Sequence, residues 1–171
     1  MRWVLDSSAL VYLGKLRILE RMLFLGALWV VPHEVYREVV ERGIERGESE
    51  AEHIRTLIEQ KKLIVRNGKA QELALFEEIP FLSIADKEVL ALSRELHCTA
   101  LIDEKHARGV AELFHLEYHG VIYFILKLLE LKNITKKEAL FYLDKLLRPG
   151  FYFSREKYRD VLGVIEKLSK K

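Results

Sequence analysis

The stretch Arg2-Trp3-Val4-Leu5-Asp6-Ser7-Ser8-Ala9-Leu10 decides how the rest of the chain is read. A mostly apolar run passes straight into an acid and two hydroxyls, which predicts a short buried strand turning directly into a helix. In a parallel α/β sheet that junction is the carboxyl end of a strand, where clefts form and ligands bind. Asp6 then either points into such a cleft or caps the new helix. Ser7 and Ser8 are equally suited to accept the free backbone N–H groups there.

The same design returns downstream. Thr99-Ala-Leu-Ile102 reads as another short strand, with Asp103-Glu104 at its carboxyl end and Lys105, His106 and Arg108 on the helix that follows. Arg108 stands one turn from Glu104, the spacing of a helical ion pair. His106 and Arg108 are also placed to touch a phosphate, although surface or pairing roles are the simpler reading.

Between these two junctions, Leu28-Trp-Val-Val31 is a strand followed by Pro32, which suits the first turn of a helix. In the helix expected from Pro32 to about Arg42, Val35, Val39 and Val40 make the packing face, with Glu34 and Glu38 one turn apart on another. Glu38 is thus a second acid within reach of the cleft. Ser83-Ile-Ala-Asp86 has the spacing of a capping box, and Ala85, Val89, Leu92 and Leu96 behind it form a core stripe. Asp86 projects from the start of that helix, where the helix dipole favours a negative group.

Elsewhere the pattern supplies scaffold. Two short helices or one broken helix are expected over 9–13 and 16–25, further helices over 48–60 and 70–77, and short strands over Leu63-Ile-Val65 and 116–119. Val121 to Leu131 is a strongly apolar helix, Thr135 caps another to about Leu147, and Ser154 caps a last one to Leu168. Pro149-Gly150 turns the chain into Phe151-Tyr152-Phe153, three aromatics that suit a core, an interface or a base-stacking patch. Alternation of strands and helices predicts a three-layer α/β/α sandwich on a central, mainly parallel sheet. The expected organisation is a single domain over 1–171 with a C-terminal helical extension from about residue 132.

At 171 residues, 50% hydrophobic and 32% charged, the chain has the size of one well-packed domain. No apolar run reaches bilayer length and the N-terminus does not look like a signal peptide, so a cytoplasmic protein without membrane association is expected. Cys98 is the lone cysteine, which excludes an internal disulfide and a four-cysteine zinc ribbon and suits a small core filler. A net charge of +2 permits nucleic-acid binding without arguing for it. Abundant Lys, Arg and Glu beside few Asn and Gln resemble the composition of proteins from hot environments.

Helices that follow strands start at the strands' carboxyl ends, so Asp6, Glu38, Asp86 and Asp103-Glu104 all fall on one edge of the sheet. Crowded carboxylates repel unless they share a proton or a cation. An all-oxygen set without histidine or cysteine favours Mg2+ or Mn2+ over zinc. Such a site can polarise a phosphodiester and activate water, so the chemistry expected is metal-assisted phosphodiester hydrolysis.

Strand-Asp-Ser-Ser (Asp6, Ser7, Ser8), Val-Pro-x-x-Val-x-x-Glu (Val31, Pro32, Val35, Glu38), Asp-x-x-x-Leu-x-Leu (Asp86, Leu90, Leu92) and Leu-Ile-Asp-Glu (Leu101 to Glu104) follow one another in an order that resembles a PIN domain. Arg148-Pro-Gly-Phe-Tyr-Phe-Ser154 resembles the tail of a VapC-like prokaryotic branch that includes toxins. The resemblance implies an α/β/α sandwich and a divalent-metal-dependent endoribonuclease acting on RNA. It also implies the toxin component of a toxin–antitoxin pair, with a small antitoxin partner and a homodimeric state. Carried over by position, Asp6, Glu38 and Asp86 match the first three acids and Ser8 a supporting polar residue. For the fourth, Asp103 stands at the strand end like Asp6, whereas Glu104 occupies the position that is often aspartate in the family. The alternatives are an RNA- or protein-binding module that keeps the fold without metal chemistry, and an RNA-processing nuclease outside any toxin–antitoxin pair. A haloacid-dehalogenase-type phosphatase would need an aspartate where Ser8 stands.

Overall fold

The computed structural model describes residues 2–23, 25–147, 151 and 154–170. The chain forms two compact units, Met1–Gly120 and Val121–Lys171.

The first unit is built on five parallel strands, β1 (Arg2–Leu5), β2 (Leu28–Pro32), β3 (Ile64–Arg66), β4 (Thr99–Leu101) and β5 (Tyr118–His119), in the order β3-β2-β1-β4-β5. β1 lies in the middle of the sheet; from it the chain winds outward to β3, then crosses back to lay β4 on the other side of β1. The direction of winding therefore reverses between β1 and β4, which opens a crevice at their carboxyl ends. Both faces of the central strands are covered, so their sequences are near-continuous apolar runs: Val4, Leu5, Val30, Val31, Ala100 and Leu101 are fully buried. Trp3 and Trp29, partners in register, stack with ring centroids 5.7 Å apart.

Helices α1 (Ser7–Lys15), α2 (Leu19–Leu23), α3 (His33–Tyr36), α4 (Arg42–Glu45), α5 (Ser49–Glu59), α6 (Ala70–Glu77), α7 (Ile84–Leu96) and α8 (Lys105–Leu113) complete the α/β/α sandwich expected from the sequence. α7 packs on β1, β2 and β4, burying Ala85, Val89 and Leu92. Its start is the expected capping box, with Ser83 accepting from the Asp86 N–H and Asp86 accepting from that of Ser83. α4 and α5 approach closely because Gly43 has no side chain: a Cβ there would lie 2.8 Å from that of Ala51.

The helix expected from Pro32 onward differs in two respects. Pro32 is the last residue of β2, and α3 begins after it. Residues Arg37–Glu41 then form a π-helical turn between α3 and α4. Its wider i→i+5 bonding inserts one residue into the turn, so side chains around Glu38 leave the 3.6-residue register on which the sequence pattern was read.

In the second unit, α9 (Val121–Glu130), α10 (Lys136–Leu146) and α11 (Arg155–Ser169) pack on one another. The shared core includes Phe124, Leu128, Ala139, Leu143, Leu146, Val161 and Ile165. Thr135 and Glu138 form a second capping box and Ser154 caps α11, as their sequence positions suggest. Arg148, Pro149, Gly150, Tyr152 and Phe153, which carry most of the aromatic tail motif, lie outside the described residues. Among the described residues no helix is long and apolar enough to cross a membrane.

Candidate metal centre

Asp6 follows the last residue of β1 and is 2% exposed. One of its carboxylate oxygens accepts the Ala9 N–H at 2.6 Å and so caps α1. The other accepts the Asp103 N–H at 2.9 Å, across the crevice where the winding reverses. The capping role weighed for this residue is therefore present. One carboxylate fastens the start of α1 to the end of β4.

Around it stand the other acids. Asp103 follows β4, and its Oδ1 is held by the Arg108 guanidinium at 2.8 Å while Arg108 Nε donates to the Ile102 carbonyl at 2.7 Å. The ion pair of Arg108 thus goes to Asp103 rather than to Glu104 at helical spacing. The reason is local: Glu104 turns its carboxylate onto the Ala107 N–H at 2.6 Å and caps α8. Asp86 Oδ2 accepts from the Ser83 hydroxyl at 2.6 Å and from the Ser83 N–H at 3.3 Å. Glu38, exposed on the π-helical turn, accepts from the Ser7 hydroxyl at 2.6 Å and is thereby drawn toward the end of β1.

Their electrostatics register the crowding. Burial pushes the Asp6 carboxyl up to about 7, with the charges of Asp103 and Asp86 adding to the rise against the pull of its two backbone donors. Asp86 is raised too, first by burial and then by the carboxylates of Glu104 and Glu38, with the Ser83 bonds opposing. Tyr12 on α1 is raised by burial and by the charges of Asp103 and Asp6, which places its phenol in the same field. All five acids named from the sequence therefore enter one electrostatic neighbourhood at the β1/β4 switch point.

Hard carboxylate oxygens in mutual repulsion fit a divalent cation by their chemistry. Their present rotamers serve caps and ion pairs instead. Among the described residues no group of three or more His, Cys, Asp or Glu side chains is placed so that it could hold a metal ion.

The hydroxyl bonded to Glu38 is that of Ser7, whereas the resemblance implies the supporting role for Ser8. Arg108 pairs with Asp103 instead of Glu104, and one residue the sequence did not single out, Glu88, buried on α7, ties the start of α3 to the loop before α6 by accepting the Glu34 N–H at 2.7 Å and the Gly68 N–H at 3.1 Å. A glutamate one residue from Val89 on a core-facing stripe was the available signal. Cys98 sits apart, at the amino end of β4, beside a cavity of about 400 Å³ lined by Arg94, His97, His115 and Glu117 among others. Burial pushes its thiol up to about 11, so little of it is thiolate at neutral pH, and it stands half-buried at the cavity wall rather than in the core.

A family model described as a PIN domain matches residues 2–167. Neither curated proteins nor solved structures give a significant match. PIN domains are generally nucleases and typically use divalent metal ions. With a parallel sheet wound about β1 and acids gathered at its switch point, the chain belongs to the PIN-domain family and has a nuclease-type fold.

Proposed function

We propose that this protein is a Mg2+- or Mn2+-dependent endoribonuclease that hydrolyses RNA phosphodiester bonds. The observation that carries the reading is the gathering of acids around the carboxyl ends of β1 and β4, where Asp6 bonds the Asp103 N–H, Ser7 holds Glu38 and Ser83 holds Asp86. Burial first, and the neighbouring carboxylates after it, raise Asp6 and Asp86 there. Asp6, Glu38, Asp86 and Asp103 or Glu104 would hold the metal. The ion, when bound, supplies Lewis-acid activation of water and of the phosphoryl group.

The chain's own residues do the remaining work. Asp6 is fixed by two backbone donors, so it offers a pre-positioned carboxylate at the carboxyl end of β1. Ser7 aims Glu38, and Ser83 aims Asp86. Arg108 neutralises part of the charge on Asp103, and this favours Glu104 as the more available fourth acid once it leaves its cap. Carboxylates must be ionised to bind the cation, so affinity rises with pH through the value of Asp6.

The toxin role, a small antitoxin partner and a cytoplasmic homodimer belong to the same proposal and rest on the resemblance of the motifs. Growth arrest on expression of wild type but not of an Asp86→Asn variant is the expected result for a toxin. An RNA-processing nuclease would cleave without arrest.

The experiment is cleavage of a fluorescent single-stranded RNA panel with Mg2+, Mn2+ or excess chelator. Asp6→Asn and Asp86→Asn should each lower the rate at least about 100-fold, the scale on which single catalytic groups act. Asp103→Asn and Glu104→Gln then identify the fourth acid as the one whose loss abolishes stabilisation by metal. The capped rotamers favour one rival, a binding module without metal chemistry. If folded wild type cleaves no better than its variants under every metal condition, that rival replaces the nuclease.

A further inference from the structure

Phe81 is 59% exposed and Ile84 71% exposed, and both flank Ser83 at the entrance to α7. Singly such side chains are ordinary, but two of them three residues apart, one against the ring of His106, make a local patch of the kind that lines binding surfaces. His106, exposed on the first turn of α8, meets the Phe81 ring with centroids 5.7 Å apart and a tilt of 51°, so that Phe81 offers the flat face and His106 flanks it. The two aromatics come from the two segments that carry acids of the crevice. Phe81 precedes the Ser83–Asp86 capping box by two residues, and His106 follows Glu104 by two. Two residues of chain span at most about 7 Å, so the ring pair lies on the rim of the acid cluster. The Ser83 hydroxyl donates to the Asp86 carboxylate at 2.6 Å, which ties the Phe81 side of the rim to that acid.

We infer that Phe81 and His106 form a stacking platform for a nucleobase of single-stranded RNA, seating the nucleotide adjacent to the phosphate that the acids address. The inference rests on the nuclease reading and adds the substrate contact it lacks. A phosphodiester held among carboxylates gains little from their charge, so affinity has to come from elsewhere on the nucleotide. Every base has a π-face, and base–aromatic stacking tolerates sequence while supplying binding. Lys105, exposed beside His106, adds a cation on the same rim. A protein partner would be favoured by a broad apolar surface. Here the open apolar groups at the rim are Phe81 and Ile84, beside ionisable side chains.

The test measures binding of a fluorescent single-stranded RNA to the full chain in chelator, where cleavage is silent. A second series measures cleavage in Mn2+. Phe81→Ala should weaken RNA binding about tenfold, within the range of stacking losses. Phe81→Trp should restore it, and in Mn2+ the Phe81→Ala loss should appear in KM more than in kcat. His106→Ala should weaken binding less, and Phe81→Ala should gain nothing from a natural base over an abasic site that wild type disfavours. Both side chains are exposed, so unchanged thermal unfolding is the control for fold. Asp86→Asn separates the two readings: it should lose cleavage and keep RNA binding. Equal RNA affinity for wild type and Phe81→Ala overturns the platform even if wild type cleaves, and so does absence of RNA binding by wild type. If binding depends on Phe81 but no metal supports cleavage, the platform stands and the nuclease reading falls. A change in oligomeric state or protein capture on Phe81→Ala with RNA affinity unchanged also overturns it, in favour of a protein contact.

Discussion

Asp6 makes a quantitative prediction at the scale of a single residue. Its carboxyl titrates near 7 in the folded chain and near 3.8 when exposed. Between those values the folded state holds a proton that the unfolded state releases, so stability is greatest below the lower value and is lost as pH rises through the upper one. In chelator, unfolding should therefore occur at a higher temperature at pH 6 than at pH 8. The expected difference is about 1 kcal/mol, or about 3 °C for a chain of this length. Mg2+ or Mn2+ should reverse the order by stabilising the protein more at pH 8, and Asp6→Asn should flatten both responses. Scanning calorimetry across pH with and without metal reads all three. Gly120 offers a second check. A Cβ there would fall 2.3 Å from an Arg108 nitrogen and 2.5 Å from Asp103 Oδ1, so Gly120→Ala must part that ion pair. Lower activity at pH 7 with a changed pH profile is the expected outcome, measured by the RNA cleavage assay.

At the scale of elements, the Ser83 capping box both starts α7 and aims Asp86. Ser83→Ala should cost about 1 kcal/mol in urea unfolding and reduce activity more than a stability loss of that size explains. Gly43→Ala should destabilise without touching the crevice, since the new methyl meets Ala51 between α4 and α5. These elements also separate what the sequence could say from what it could not. The strands, the Ser83 capping box and the Thr135 and Ser154 caps were legible because apolar runs and cap residues ahead of helical patterns are local signals. The π-helical turn at Arg37–Glu41 was not, because an extra residue in a turn leaves no mark in residue types. The partner of Arg108 was not legible for a related reason: Glu104 and Asp103 are adjacent, and backbone direction at the β4 exit decides which of them turns inward to the cap. The five acids could be named because the edge they share follows from strand direction alone.

Across the whole molecule, 28 basic and 26 acidic side chains nearly cancel. Many pair off, as Lys15 does with Glu50, Arg37 with Glu34, Arg55 with Glu52 and Arg94 with Glu72. RNA affinity that drew on a broad cationic surface would fall steeply with salt. Here the logarithm of affinity should fall with that of salt concentration at a slope no steeper than about −2, equivalent to about three phosphates neutralised on a single strand. A fluorescence titration over a range of KCl in chelator measures it, and a slope of −5 or steeper would point to a basic track that the paired charges conceal.

The double anchorage of Asp6 carries a consequence for lineages that abandon the chemistry. A chain of this fold that stopped cutting RNA would still need something to join the first helix to the fourth strand, and aspartate already does so with both oxygens. Inheritance of that acid would therefore be a poor witness to activity. Glu38, exposed on its irregular turn and bound to little more than the Ser7 hydroxyl, has no such architectural tenure. Glu38→Gln should leave unfolding unchanged and abolish cleavage, and position 38 is where a silent descendant would first show its retirement.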